Sequence, residues 1–157
     1  MAVGTWKIYA KAKFYIGNGG ITLGAGVFKM SLHRTASSAN VNVLSTRSKW
    51  SSIGNEISAR GGYVAGGRNL VPATAQWVVG ASAKQYKFTM STVGLVFTAS
   101  GSNLNQIRYA VIKASVAGGV TTGRLLCYAS LSSAEFTITS PNTLTILPAA
   151  TGIFTLA

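Results

Sequence analysis

Ala134-Glu135-Phe136-Thr137-Ile138-Thr139-Ser140-Pro141-Asn142-Thr143-Leu144-Thr145-Ile146-Leu147 decides the fold class. Phe136 and Ile138 alternate with Glu135, Thr137 and Thr139, a period of two that buries one face of a strand and leaves the other wet. Ser140-Pro141-Asn142 then punctuates the run as a turn, and a second strand follows over 143–147. Aromatic and β-branched side chains fit such a pleated, half-buried surface.

The same pattern recurs outward in both directions. Tyr86-Lys87-Phe88 and Ile107-Arg108-Tyr109-Ala110-Val111-Ile112 alternate, and further strands are expected over 27–33, 95–99, 125–130 and 152–156. Glycine-rich turns at 17–20, 61–62, 66–67 and 118–119 separate them. Short strands with turn signals about every 8–12 residues predict an all-β fold, an antiparallel β-sandwich or a barrel. The expected core comprises Tyr86, Phe88, Ile107, Tyr109, Val111, Phe136 and Ile138. Residues 34–84 are less regular and predict long loops, with one short strand over 75–79. The N-terminal stretch reads two ways. Trp6, Ile8, Ala10, Ala12, Phe14 and Ile16 alternate as in a strand, the favoured reading, while Ala and Lys are good helix formers and Ile8, Ala12 and Tyr15 fit the stripe of one short N-terminal helix.

At 157 residues the chain is expected to form one domain, 1–157, with a core of its own. Its chemistry is narrow: two Glu, no Asp, one His and one Cys. A structural zinc site needs about four Cys or His ligands, a calcium cage several carboxylates, and a catalytic triad an acid to orient its His. The expectation is therefore no enzyme, no metal and no cofactor. Glu56 and Glu135 read as separate surface or capping groups, His33 as a surface or strand-end residue, and Cys127, within Leu125-Leu126-Cys127-Tyr128, as a small buried hydrophobe. The glycine clusters match neither a dinucleotide fingerprint nor a P-loop. No secretory leader is evident, and no stretch reaches about 18 apolar residues, so no membrane partner is expected.

Mean hydropathy is +0.34 although charged residues make up only 10% of the chain. Soluble surfaces are usually about 25–35% charged, so much of this surface is expected to lie against other protein chains. The charge is also lopsided. Residues 1–87 hold eleven basic side chains and one acid, and 88–157 hold three and one, within a net of +12. Lys7, Lys11, Lys13, Arg34, Arg47, Lys49, Arg60 and Arg68 are the candidate interaction surface for an acidic partner. Lys7, Lys11 and Lys13 interleave with Tyr9 and Tyr15, which keeps nucleic acid as a less favoured partner.

One resemblance extends over nearly the whole chain. Lys7-Ile8-Tyr9-Ala10-Lys11-Ala12-Lys13, Ile21-Thr22-Leu23, Val27-Phe28-Lys29-Met30-Ser31-Leu32, Asn55-Glu56-Ile57, Gly61-Gly62-Tyr63-Val64-Ala65-Gly66-Gly67, Val96-Phe97-Thr98-Ala99, the 107–112 run and Thr151-Gly152-Ile153-Phe154-Thr155-Leu156-Ala157 stand in that order. The order resembles a family of small tailed-bacteriophage virion structural proteins of the head decoration, or cement, type. The resemblance implies a jelly-roll-like sandwich, often with a helix over the segment matching 7–15. It also implies binding to the major capsid protein on the capsid surface, self-association as a homodimer or homotrimer, synthesis in the host bacterial cytoplasm, and no catalytic residues. A neck, tail or fibre component is the alternative within the virion; a basic nucleic-acid-binding module is the alternative of another class. Many members of that family are acidic, and the absence of Asp here departs from them.

Overall fold

The computed structural model describes residues 4–35, 48–70, 77–80, 84–115 and 123–156. The chain runs β1 (Lys7–Ile8), α1 (Ala10–Gly17), β2 (Phe28–His33), a 3₁₀ turn (Trp50–Ser52), β3 (Arg68–Asn69), β4 (Trp77–Val79), β5 (Tyr86–Phe88) and β6 (Leu95–Thr98). It continues through β7 (Leu104–Ile107), β8 (Tyr109–Ala114), β9 (Leu125–Ser130), β10 (Phe136–Ile138), β11 (Thr143–Ile146) and β12 (Phe154–Leu156). The fold is all-β and its strand pairs are antiparallel.

A five-stranded sheet in the order β1-β9-β8-β2-β3 forms the frame. β7 pairs with β10, β6 with β11, and β5 lies between β12 and β4. Phe28 of β2 meets Phe88 of β5 edge-on at 4.9 Å, and Phe88 stacks on Phe154 of β12 at 5.3 Å. These rings join the five-stranded sheet to the three-stranded one through a hydrophobic cluster that takes in residues of every sheet. All six residues of β8 are buried, so this central strand is covered on both faces.

The N-terminal stretch is a strand for only two residues and then a helix, which corrects the favoured strand reading. β1 pairs with β9 through Lys7 and Ile8, and the Tyr9 amide donates to the Leu126 carbonyl at 3.1 Å. In this register Ala10 would face Leu125, where β9 begins, so a strand continued past Ala10 would run off the end of β9. Ala10-Lys11-Ala12-Lys13 then follows its helical propensity, burying Ala12, until Gly17-Asn18-Gly19 ends the helix.

The 107–112 run is likewise not one strand. Ile107 ends β7, Tyr109 starts β8, and the Arg108 amide between them donates to the His33 carbonyl at 2.9 Å. The chain changes sheets here, as strands do at the corners of sandwiches. Of the expected core, Phe88, Ile107, Tyr109 and Val111 are buried, while Phe136 and Ile138 are half-buried. Tyr86 is 47% exposed. It stacks on Trp77 of β4 at 5.7 Å, at the end of β5 where the sheet outruns the core.

The 54–67 segment is stitched to β2. The Ile57 amide donates to the Leu32 carbonyl and the Arg34 amide to the Asn55 carbonyl, both at 3.0 Å. At Gly67 (φ 80°) a Cβ would lie 2.0 Å from the Met30 carbonyl oxygen. Only glycine allows β3 to approach β2 this closely.

Candidate interaction site

The expected basic residues do not form one patch. Lys7 lies exposed on β1 and Arg68 exposed on β3, opposite edges of the five-stranded sheet. Four strand spacings separate them, roughly 19 Å. Arg68 also donates to the Val96 carbonyl. Arg47 lies outside the described residues.

Two local groups replace the single patch. The first is the β1–α1 flank. Lys7, Lys11 and Lys13 are exposed, and the Lys11 ammonium sits 5.5 Å from the centroid of the Phe14 ring, itself 59% exposed. Exposed Lys49 forms a β-bridge with Arg124. The Arg124 guanidinium lies 4.0 Å over Tyr15 and donates to the Gly20 carbonyl at 2.7 Å. Arg124 was not expected here, because it belongs to the weakly charged second half of the chain. The second group is Arg34 and Arg60, which line one cavity.

The densest ionisable cluster lies beside the end of β2. His33 is 1% exposed, which overturns the surface reading and keeps the strand-end one. Its Nδ1–H donates to the Gly54 carbonyl at 2.9 Å, which leaves Nε2 to accept from the Ser31 hydroxyl at 3.0 Å. Burial lowers its pKa to about 4; the Gly54 bond opposes that shift and the Lys113 charge adds to it. The Lys113 ammonium lies 3.4 Å from the centroid of the Trp50 ring. Burial lowers its pKa too, with Glu56 pulling the other way and Lys29 adding to the fall. Glu56 Oε1 accepts from the Tyr63 hydroxyl at 2.5 Å and from the Gly66 amide at 2.8 Å. The Tyr63 hydroxyl accepts from the Leu32 amide at 3.0 Å; burial first, and then the bond to Glu56, hold it protonated far above its ordinary range. A cavity of about 250 Å³ opens among His33, Trp50, Ser51, Gly54, Asn55 and Glu56.

Chemically, this cluster is a lock. The Ser31–His33 pair has the distance of a nucleophile and its base, but Ser31 is fully buried and a backbone carbonyl, not a carboxylate, orients the imidazole. Glu56 and Glu135 act apart: Glu135 is exposed and accepts from the Thr35 amide at 2.7 Å. Burial raises the Cys127 thiol well above its ordinary range. Among the described residues no three His, Cys, Asp or Glu side chains gather as metal ligands, and no helix is long and apolar enough to cross a membrane.

Glu56→Ala should cost roughly 2 kcal/mol, because a buried hydroxyl and an amide lose a charged acceptor. Glu56→Gln keeps an acceptor oxygen and should cost about 1 kcal/mol or less. Urea unfolding of the two variants checks this; equal costs would mean that the Tyr63 and Gly66 bonds contribute nothing.

No protein-family model, curated protein or solved structure matches the chain.

Proposed function

We propose that the chain is a structural protein of a tailed-bacteriophage virion: a head decoration, or cement, protein that seats on the major capsid protein shell and reinforces it. The jelly-roll connectivity, the self-association as a dimer or trimer, and the virion location after synthesis in the host cytoplasm all belong to this reading. The observation that carries it is the character of the surface. The chain exposes 7617 Å² with sixteen formal charges, fourteen of them positive. Phe14, Val64, Val79, Tyr86, Val93 and Leu147 are large hydrophobics left exposed. A protein that works by burying its faces against neighbours needs few charges at those contacts, and a mechanical clamp needs no catalytic group. The ordered sequence motifs support the same reading.

The β1–α1 flank favours one alternative of another class, a nucleic-acid-binding module, since exposed lysines beside an exposed ring suit phosphates and bases. Titration against empty capsid shells and against DNA, at about 50 and about 200 mM salt, separates the two. Affinity resting on several phosphates falls roughly 10³–10⁵-fold over that range. Shell binding through apolar contacts should weaken by less than about tenfold, because burial of apolar surface is not screened. Steeply salt-dependent DNA binding with no shell binding would replace decoration by the nucleic-acid module.

A further inference from the structure

We propose that the cavity between Arg34 and Arg60 is a receptor for a single oxyanion, a phosphate or a carboxylate group. The cavity is lined by Arg34, Ile57, Ser58, Arg60, Asn105 and Gln106 and encloses about 50 Å³. One water needs about 10–15 Å³ on such a measure, so a group of several heavy atoms fits. Two arginines line it with a serine, an asparagine and a glutamine, and Ile57 is the apolar residue among them. Guanidinium presents five donors in a planar fork that matches carboxylate and phosphate oxygens.

Neither carboxylate of the chain lines the cavity. Glu56 holds Tyr63 and Gly66, and Glu135 holds the Thr35 amide. Arg34 makes one long bond there, to the Ser58 hydroxyl at 3.4 Å, so most of its donors stay available to a ligand. Two arginines bordering one small space repel each other; an anion between them offsets that repulsion.

The walls are also held in place. The Arg34 amide is fixed to the Asn55 carbonyl at 3.0 Å. The Tyr63 amide closes a turn on the Arg60 carbonyl at 2.9 Å, and the Ser100 amide donates to the Gly61 carbonyl at 3.0 Å. Gln106, within β7, has φ 61° where β7 carries an extra residue against β10, a bulge of the kind that re-aims side chains beside functional sites. Just beyond it, Arg108 donates to the Thr35 hydroxyl at 3.3 Å, and its buried Nε has no partner among the described residues. This third guanidinium meets a residue, Thr35, that the Glu135 carboxylate also holds, so the cavity's own charge comes from Arg34 and Arg60. The backbone that carries the two arginines is fixed by its hydrogen bonds, which lowers the cost of ordering the site on binding.

The proposal concerns the cavity alone and is independent of the virion reading. Its test is titration of the full chain with inorganic phosphate and, separately, with acetate, at constant ionic strength, following the arginine Nε–H resonances by NMR. Saturable shifts centred on Arg34 and Arg60 are expected. Arg60→Gln and Arg34→Gln should each weaken binding roughly tenfold or more, as loss of a charged hydrogen-bonding partner does. Lys13→Gln, which removes the same charge elsewhere, should leave it within about twofold. Arg60→Lys keeps the charge but loses the fork and should also weaken binding, so the test does not depend on how one variant folds. Saturation by phosphate alone identifies the ligand as a phosphate group, saturation by acetate alone as a carboxylate, and by both as either; each supports the site. Shifts that do not saturate, or that an anion spreads equally over Arg34, Arg60, Arg68 and Arg124, would overturn it.

Discussion

Lowering the pH from 7 to 4 should remove roughly 3 kcal/mol of folding stability through one side chain, His33. The folded imidazole is buried, bonded to Gly54 and Ser31 and near the Lys113 charge, with a pKa lowered to about 4 from 6.5. In the unfolded chain it protonates near the ordinary value. Between the two values the unfolded state binds the extra proton, so stability rises with pH. The contribution is complete above about pH 6.5 and is lost as pH falls toward about 4. Most proteins blur such a signal with many carboxylates. Here Glu56 and Glu135 are the only acidic side chains. Urea unfolding of the native protein and of His33→Gln, measured at intervals from pH 7 to 4, should show a steep fall in the first and a much shallower one in the second. Parallel curves would mean that His33 is accessible to protons in the folded state.

Phe88→Ala should cost about 3–5 kcal/mol, the range for emptying a fully enclosed phenyl site. Phe88 is completely buried and touches Phe28 and Phe154, one from each of the two sheets it joins. A cavity there cannot close by shifting a loop, because β5 is pinned between β4 and β12. The half-buried Phe136 on the short β10 should cost about half as much when truncated, since the transfer free energy scales with the area removed from water. Chemical denaturation of the two variants gives the comparison; equal losses would place both rings in equivalent packing.

The two predictions differ in how far they could be foreseen. Phe88 announced itself by alternation, and the strand over 125–130 coincides with β9, because one buried face or a continuous apolar run leaves a local signature. His33 did not. Its burial comes from a segment twenty residues later folding back onto β2, and no period in the sequence encodes that return. The α1 helix was ambiguous because its residues satisfy both periods, and the end of β9, far along the chain, settles the matter. In the sequence Arg34 and Arg60 are only two of the eight cations of the candidate interaction surface. Their convergence on one cavity depends on the same 54–67 segment, and the separation of Lys7 from Arg68 depends on strand order, which spacing does not report. Tyr86 failed for a different reason: alternation tells which face a residue takes, not whether the sheet still has a neighbour there.

Cys127 gives this architecture an internal clock. It lies in the middle of β9, wholly enclosed, flanked by β1 on one side and β8 on the other. Burial keeps it a thiol rather than a reactive thiolate, and its side chain stands out of the plane of the sheet, so a thiol reagent can reach it only when the packing over that face of β9 opens. Labelling therefore counts openings around β9, the peeling away of β1 and α1 included, while fraying of distant loops goes unrecorded. With a single cysteine in the chain, every label added is at the same place, and the change in labelling rate when a partner binds measures how far that partner slows the opening of the core around β9.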